Sequence, residues 1–118
     1  IKTLKTLKKK NYDLNIVTSK DKKRTIKFLG KYNKLFKHIE CDNPKTKGKP
    51  HPDKINKIIS TTKYKKSECV YIGDTRVDYL TAKNSKIDFI FAEWGYGRSY
   101  NYKYKCKKIS QLLKMIDY

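Results

Sequence analysis

The sequence predicts an α/β fold, a parallel β-sheet flanked by helices and built as one small unit. Three observations predict it. Short apolar runs of β type alternate with amphipathic helical stretches along the chain, which is the pattern of βαβ units. The chain has 118 residues, 37% of them hydrophobic, enough for one modest core. No internal repeat and no linker-like segment divides it.

Residues 1–10 open the chain with Ile1, Leu4 and Leu7 three apart, which predicts one apolar face of a helix ending in a basic turn. Asn11-Tyr12-Asp13 breaks it, and Leu14 to Thr18 is the first β run. A polar helix start at Asp21 leads into 21–32, with Ile26, Phe28 and Leu29 as apolar positions and Gly30 as terminator. The second β run is Phe36 to Cys41. Residues 42–52 hold all three prolines and Gly48, hence a loop. Pro52 suits the first position of a helix that buries Ile55, Ile58 and Ile59. Glu68 to Ile72 is the third β run, closed by Gly73-Asp74; 76–84 is helical, and Ile87 to Phe91 is the fourth. Residues 93–104 are a Gly- and Tyr-rich loop, and Ile109 to Ile116 a closing helix with Leu112, Leu113 and Met115.

Several classes are set aside. No apolar stretch approaches the ~20 residues that cross a bilayer, so no membrane role is expected and the cytoplasm is the expected setting. Cys41, Cys69 and Cys106 are odd in number and lack a C-x-x-C pair, and His38 and His51 add no zinc-ligand spacing. Reduced thiols are expected, with Cys69 as a small core residue.

Charge is the most unusual property. Thirty Lys+Arg face 11 Asp+Glu, a formal +19. Only Arg24, Arg76 and Arg98 are arginines, whereas base-edge and bidentate phosphate recognition favour Arg. The lysines are spread along the chain among many Ile, Asn and Tyr, as A/T-rich coding would give. Weak nonspecific adhesion to polyanions is the expectation. Trp94, Tyr96, Tyr100, Tyr102 and Tyr104 could stack on bases but are read as sheet-rim or loop-filling residues. Arg76 and Arg98 are surface groups within reach of a substrate anion, and His51 is loop surface.

In doubly wound sheets ligands bind at the C-terminal ends of strands. Here those positions carry Thr18-Ser19, then Lys49 in Lys-Gly-Lys-Pro-His-Pro, then Gly73-Asp74 with Asp78 four residues on, then Glu93-Trp94-Gly95-Tyr96-Gly97. A hydroxyl, an ammonium and a carboxylate pair on one rim suit a phosphate with a divalent cation. Gly73 is read as the residue that lets the backbone turn sharply so that Asp74 projects.

In this order and spacing the chain resembles the haloacid dehalogenase-like (HAD) hydrolases, above all their phosphoglycolate-phosphatase-like branch. Leu14 to Thr18 matches the motif II strand ending in Thr or Ser. Lys49-Pro50-His51-Pro52 matches the motif III Lys followed by Pro-x-Pro. Val70-Tyr71-Ile72-Gly73-Asp74 with Asp78 matches the motif IV Gly-Asp-x-x-x-Asp. The resemblance spans roughly residues 1–116. It implies a three-layer Rossmann-like sheet and a Mg²⁺-dependent hydrolase of a small phosphorylated metabolite. Thr18, with Ser19 beside it, would hydrogen-bond the phosphoryl group, and Lys49 would neutralise charge on nucleophile and phosphate. Asp74 would ligate Mg²⁺, with Asp78 as a ligand or as the partner that orients the site.

One departure governs the rest. The family's motif I, an Asp-x-Asp strand whose first Asp attacks phosphorus, has no counterpart here. Asp13 precedes its strand, and Asp42 and Asp53 are turn and cap residues. Neither Lys49 nor Thr18 replaces a carboxylate nucleophile. Residues 1–118 are therefore read as a partial HAD-like core, strands two to five of a sheet ordered 5-4-1-2-3, from the C-terminal part of a longer phosphatase. Without the central strand, the strands ending in Thr18 and Asp74 each lose a ladder partner and expose an edge. The chain is expected to be marginally stable, rearranged so that those strands pair directly, or completed by an N-terminal segment or a second chain. Two other readings stand beside this one: a non-catalytic phosphate- or polyanion-binding module, and a nucleic-acid-associated phosphatase domain.

Overall fold

The structure is a computed structural model that describes residues 1–95 and 102–116. The order is α1 (Lys2–Lys9), β1 (Asn15–Val17), α2 (Lys22–Leu29), a 3₁₀ stretch (Gly30–Leu35), β2 (His38–Glu40), α3 (Asp53–Ser60), a 3₁₀ turn (Lys66–Glu68), β3 (Val70–Gly73), α4 (Arg76–Ser85), β4 (Asp88–Ala92), β5 (Lys105–Cys106), a 3₁₀ turn (Ile109–Gln111) and α5 (Leu112–Ile116). Every strand pair is parallel: β1 with β2, β3 with β4, and β4 with β5. The expected α/β architecture of parallel strands and flanking helices is the one observed.

The two-residue period of the strands builds the layers. Tyr71, Phe89 and Phe91 form one face and pack with Ala82 and Tyr79 of α4 and with Tyr102. Phe91 stacks on Tyr102 at 4.9 Å between ring centroids, and Tyr79 meets Phe89 edge-on at 5.7 Å. The opposite face carries Val70, Ile72 and Ile90 and packs on Leu112, Met115 and Ile116 of α5. β4 is buried on both faces from Phe89 to Ala92, as an inner parallel strand requires. The three thiols are free; Cys41 and Cys106 are buried and Cys69 is half-buried.

Several local expectations change. In α1 the buried pair is Thr3 and Leu7, one turn apart, while Ile1 is exposed. In α2 the buried residue is Thr25, and Phe28 stands 79% exposed. Gly30 caps this helix at φ +55°, a conformation that favours glycine. Pro52 caps α3 from outside rather than opening it, so the helix begins at Asp53; Ile55 and Ile58 are buried as expected. Lys105–Cys106, which lies between the expected loop and the expected closing helix and belongs to neither, adds β5 beside β4.

Among the described residues the strands fall into two sheets, β1-β2 and β3-β4-β5. β1 and β3 do not pair directly, so that expected rearrangement does not occur. Their edges instead line a cavity of about 780 Å³, whose walls include Ile16 and Val17 of β1, Tyr71 and Ile72 of β3, Leu7 of α1 and Ile55 of α3. Relative to the order 5-4-1-2-3, the break falls where the central strand would lie.

Candidate functional site

The β3–α4 junction sets the site. Thr75 caps α4, its hydroxyl accepting from the Asp78 N–H at 3.0 Å. This fixes Asp78 in the first helical turn, where a carboxylate is also favoured by the helix dipole. Its carboxylate reaches back, so that Oδ2 accepts from the Asp74 N–H at 3.1 Å. A Cβ at position 73 would run into this carboxylate. Gly73 has no positive φ, so the glycine is there for the close approach of Asp78 and not for the sharp turn read from the sequence. Gly95 has the same relation to Asp74: a Cβ there would meet the Asp74 side chain.

Asp78 Oδ1 holds two more groups. Lys49 Nζ donates to it at 2.7 Å, and the Tyr71 hydroxyl lies 3.3 Å away. The pair is well shielded, with side-chain exposures of 18% for Lys49 and 8% for Asp78. Lys49 comes from the 41–52 loop, whose Pro50 carbonyl accepts from Asn84 of α4 at 2.8 Å. Lys49 Nζ also stands 5.6 Å from the Tyr71 ring centroid. Burial alone would lower the Lys49 pKa; the Tyr71 hydroxyl and the Asp78 carboxylate outweigh it and hold the pKa above its ordinary 10.5. Burial pushes the Tyr71 phenol up as well, partly opposed by Lys49. Lys49 is therefore charged, and Tyr71 protonated, at neutral pH.

Tyr71 extends the cluster across the cavity. Its oxygen lies 3.5 Å from the Val17 carbonyl of β1, so one phenolic proton serves Asp78 and Val17. Thr18 follows directly. Its N–H donates to the Glu40 carbonyl at 3.0 Å, and its hydroxyl accepts from the Lys20 N–H at 3.2 Å. Thr18 is half-buried and Ser19 exposed. Of the residues expected at the site, Lys49, Asp74 and Asp78 share the cavity wall, Thr18 follows Val17 of that wall, and Ser19 lies beyond it. Tyr71 was missed. The sequence signal was only indirect: Tyr71 sits two residues before Gly73 on the same face of β3, and a β run does not say where its hydroxyl goes. Tyr96, Gly97, Arg98 and Tyr100 lie outside the described residues; His51 and Trp94 are exposed.

For a divalent cation the chain offers part of a donor set. Among the described residues no group of three or more His, Cys, Asp or Glu side chains is placed to hold a metal ion. Asp78 has both oxygens engaged, and Asp74 is the carboxylate at the end of β3. Alone these residues do not fit Mg²⁺, which needs near-octahedral oxygen coordination. What they do provide is a fixed, charge-neutral Lys–Asp pair contributed by the loop after β2 and the first turn of α4, with a carboxylate at the end of β3 and a hydroxyl at the end of β1.

Comparison with known proteins agrees with this geometry. The family model of haloacid dehalogenase-like hydrolase matches residues 1–92. The pyrophosphatase PpaX of Bacillus mycoides is 26% identical over 123 residues, covering 98% of this chain and 57% of the relative. The PpaX of Anoxybacillus flavithermus is 29% identical over 122 residues, covering 97% and 56%. The chain thus spans a little over half the length of the curated relatives it matches. Among solved structures, a Bacteroides fragilis protein assigned as a haloacid dehalogenase-like hydrolase superposes with a TM-score of 0.86 at 28% identity, covering 95% of this chain and 57% of that one. A Lactobacillus delbrueckii protein assigned as a phosphoglycolate phosphatase gives 0.84 at 25% identity, covering 98% and 51%. The YfnB hydrolase of Bacillus subtilis, bound to magnesium, shares the fold at 0.79 and 17% identity, covering 99% and 54%. With its parallel sheet, its Lys49–Asp78 junction and this match over residues 1–92, the chain belongs to the haloacid dehalogenase-like hydrolase family.

Proposed function

We propose that this chain is the phosphate-gripping part of a HAD-type phosphatase acting on a small phosphorylated metabolite, and that it is inactive when alone. The observation that carries the reading is the Lys49–Asp78 contact of 2.7 Å, tied through Tyr71 to the strand that ends at Thr18. Asp78 and Tyr71 hold the Lys49 ammonium at a fixed point, so little reorganisation is needed when negative charge builds on a phosphoryl oxygen. Thr18 would donate its hydroxyl proton to a second phosphoryl oxygen. Ser19 is the next hydroxyl along the rim, and Asp74 is the carboxylate this chain would contribute to Mg²⁺. The names of the PpaX relatives make inorganic pyrophosphate a substrate candidate beside phosphomonoesters.

The attacking carboxylate is proposed to come from outside these 118 residues, on a strand seated between β1 and β3. The cavity between those two strands supports this, and so do the greater lengths of the relatives. A second reading, a phosphate-binding module without turnover, is favoured by the absence of an Asp-x-Asp strand in the sequence. One assay separates them. The chain is tested on an aryl phosphate with Mg²⁺, alone and fused behind a relative's Asp-x-Asp segment. The proposal expects no turnover alone and turnover in the fusion, abolished by Asp74→Asn. Turnover by the chain alone would contradict it, and a fusion that folds but stays inert would favour the binding module.

A further inference from the structure

The +19 charge is not evenly placed. Residues 1–37 carry 13 of the 30 basic side chains and only Asp13 and Asp21 as acids, a net +11 in under a third of the chain. All 13 are exposed. The fold gathers them: α1 packs against the 3₁₀ stretch that directly follows α2, and Lys8 Nζ donates to the Lys34 carbonyl at 3.0 Å. Two aromatic rings sit among these lysines. Phe28, 79% exposed, has Lys20 Nζ 4.6 Å from its centroid. Tyr32 lies between Lys5 at 6.0 Å and Lys31 at 5.3 Å. An exposed phenylalanine in a lysine-rich helix contributes nothing to the core, yet most of its ring is open to solvent with the Lys20 ammonium over one face.

We propose that the surface of α1, α2 and the 3₁₀ stretch docks single-stranded nucleic acid, with lysines on successive phosphates and bases stacked on Phe28. The composition sets the mode. Lysine is a point charge without the bidentate fork that reads base edges, so binding is sequence-tolerant. An open ring takes an unpaired base and has no counterpart on a duplex exterior. An anionic membrane fits less well, because the apolar residues of α1 point inward, with Leu7 only 2% exposed, and Phe28 alone gives little to insert. The surface shares no side chain with the Lys49–Tyr71–Asp78 cluster, and the inference stands apart from the proposed phosphatase activity.

The test is fluorescence anisotropy with labelled oligouridine of about 20 nucleotides, longer than the ~4–16 that one small domain covers. The same-length duplex and phosphatidylserine vesicles serve as comparisons. Single-strand binding should weaken with salt at a log–log slope near −0.7 per phosphate contacted. Phe28→Ala should weaken it about fivefold or more with the slope unchanged. The double variant Lys5→Glu, Lys31→Glu should flatten the slope. The double variant Lys103→Glu, Lys105→Glu, an equal charge change at and just before β5, the edge strand of the β3-β4-β5 sheet, should leave affinity near that of the parent. Equal losses from both double variants would overturn the proposal in favour of diffuse charge. Unchanged binding by Phe28→Ala, equal affinity for duplex, or tighter binding to the vesicles would overturn it too. Thermal melts of each variant confirm that these surface changes leave the fold intact.

Discussion

At the scale of residues, the site rests on one carboxylate with every oxygen in use. Asp78 takes Lys49, Tyr71 and the Asp74 N–H, and Thr75 fixes its backbone. Removing the Tyr71 hydroxyl takes away a half-buried hydrogen bond worth about 1 kcal/mol. Tyr71→Phe should therefore lower stability by about that much in urea unfolding and bring the Lys49 pKa down toward 10.5. The pH sign follows. A lysine and a tyrosine whose pKa values are raised on folding stabilise the fold fully below their ordinary values of 10.5 and 10.0, and that contribution is lost as pH climbs through the raised ones. Wild-type stability should fall above about pH 10, and Tyr71→Phe should flatten that fall. That Lys49, Asp74 and Asp78 come together was legible in the sequence through their place in the family's motifs. Tyr71 was not, because a tyrosine in a β run looks like core until its hydroxyl is placed. The reason for Gly73 was equally hidden: a missing Cβ matters through what approaches it.

At the scale of elements, hydrophobic period placed the helices and strands but misjudged single positions at the helix faces. In α1 and α2 the small Thr3 and Thr25 are buried while Ile1 and Phe28 are exposed, since packing geometry overrides hydropathy in eight-residue helices. β5 escaped because two residues, Lys105 and Cys106, leave no period to read. α3 holds an inversion of its own. Lys54 is 2% exposed and its Nζ makes no hydrogen bond among the described residues. A buried ammonium without a partner costs its desolvation, so Lys54→Met, close in shape, should raise stability by about 1–3 kcal/mol in thermal or urea unfolding. A loss of stability would mean that the ammonium has a partner after all. The β1 and β3 edges make a separate prediction. Parallel strands turn alternate N–H groups to their two sides, so amides of 15–17 and 70–73 facing the cavity should exchange quickly while their neighbours are protected. Uniform strong protection in a dilute monomer would mean that the edges are closed.

At the scale of the whole molecule, the chain combines a family sheet, broken where the central strand would run, with a lysine-rich flank. The parallel α/β pattern was legible in the alternation of β runs and helices, whereas the order of the strands came only with the family resemblance carried by Thr18, Lys49 and Gly73-Asp74. The excess of charge in residues 1–37 can be counted in the sequence, but its gathering on one surface cannot, since only folding brings α1 beside the 3₁₀ stretch after α2. The central claim is that Thr18 and Lys49 grip one phosphate beside Asp74, the carboxylate offered to Mg²⁺. Amide and lysine-methylene NMR shifts, followed while inorganic phosphate is titrated in with Mg²⁺ present, test it most directly. The account predicts saturable shifts at Thr18, Ser19, Lys49, Gly73 and Asp74, lost in Lys49→Met. Shifts confined to the lysines of residues 1–37, with these positions unmoved, would contradict it.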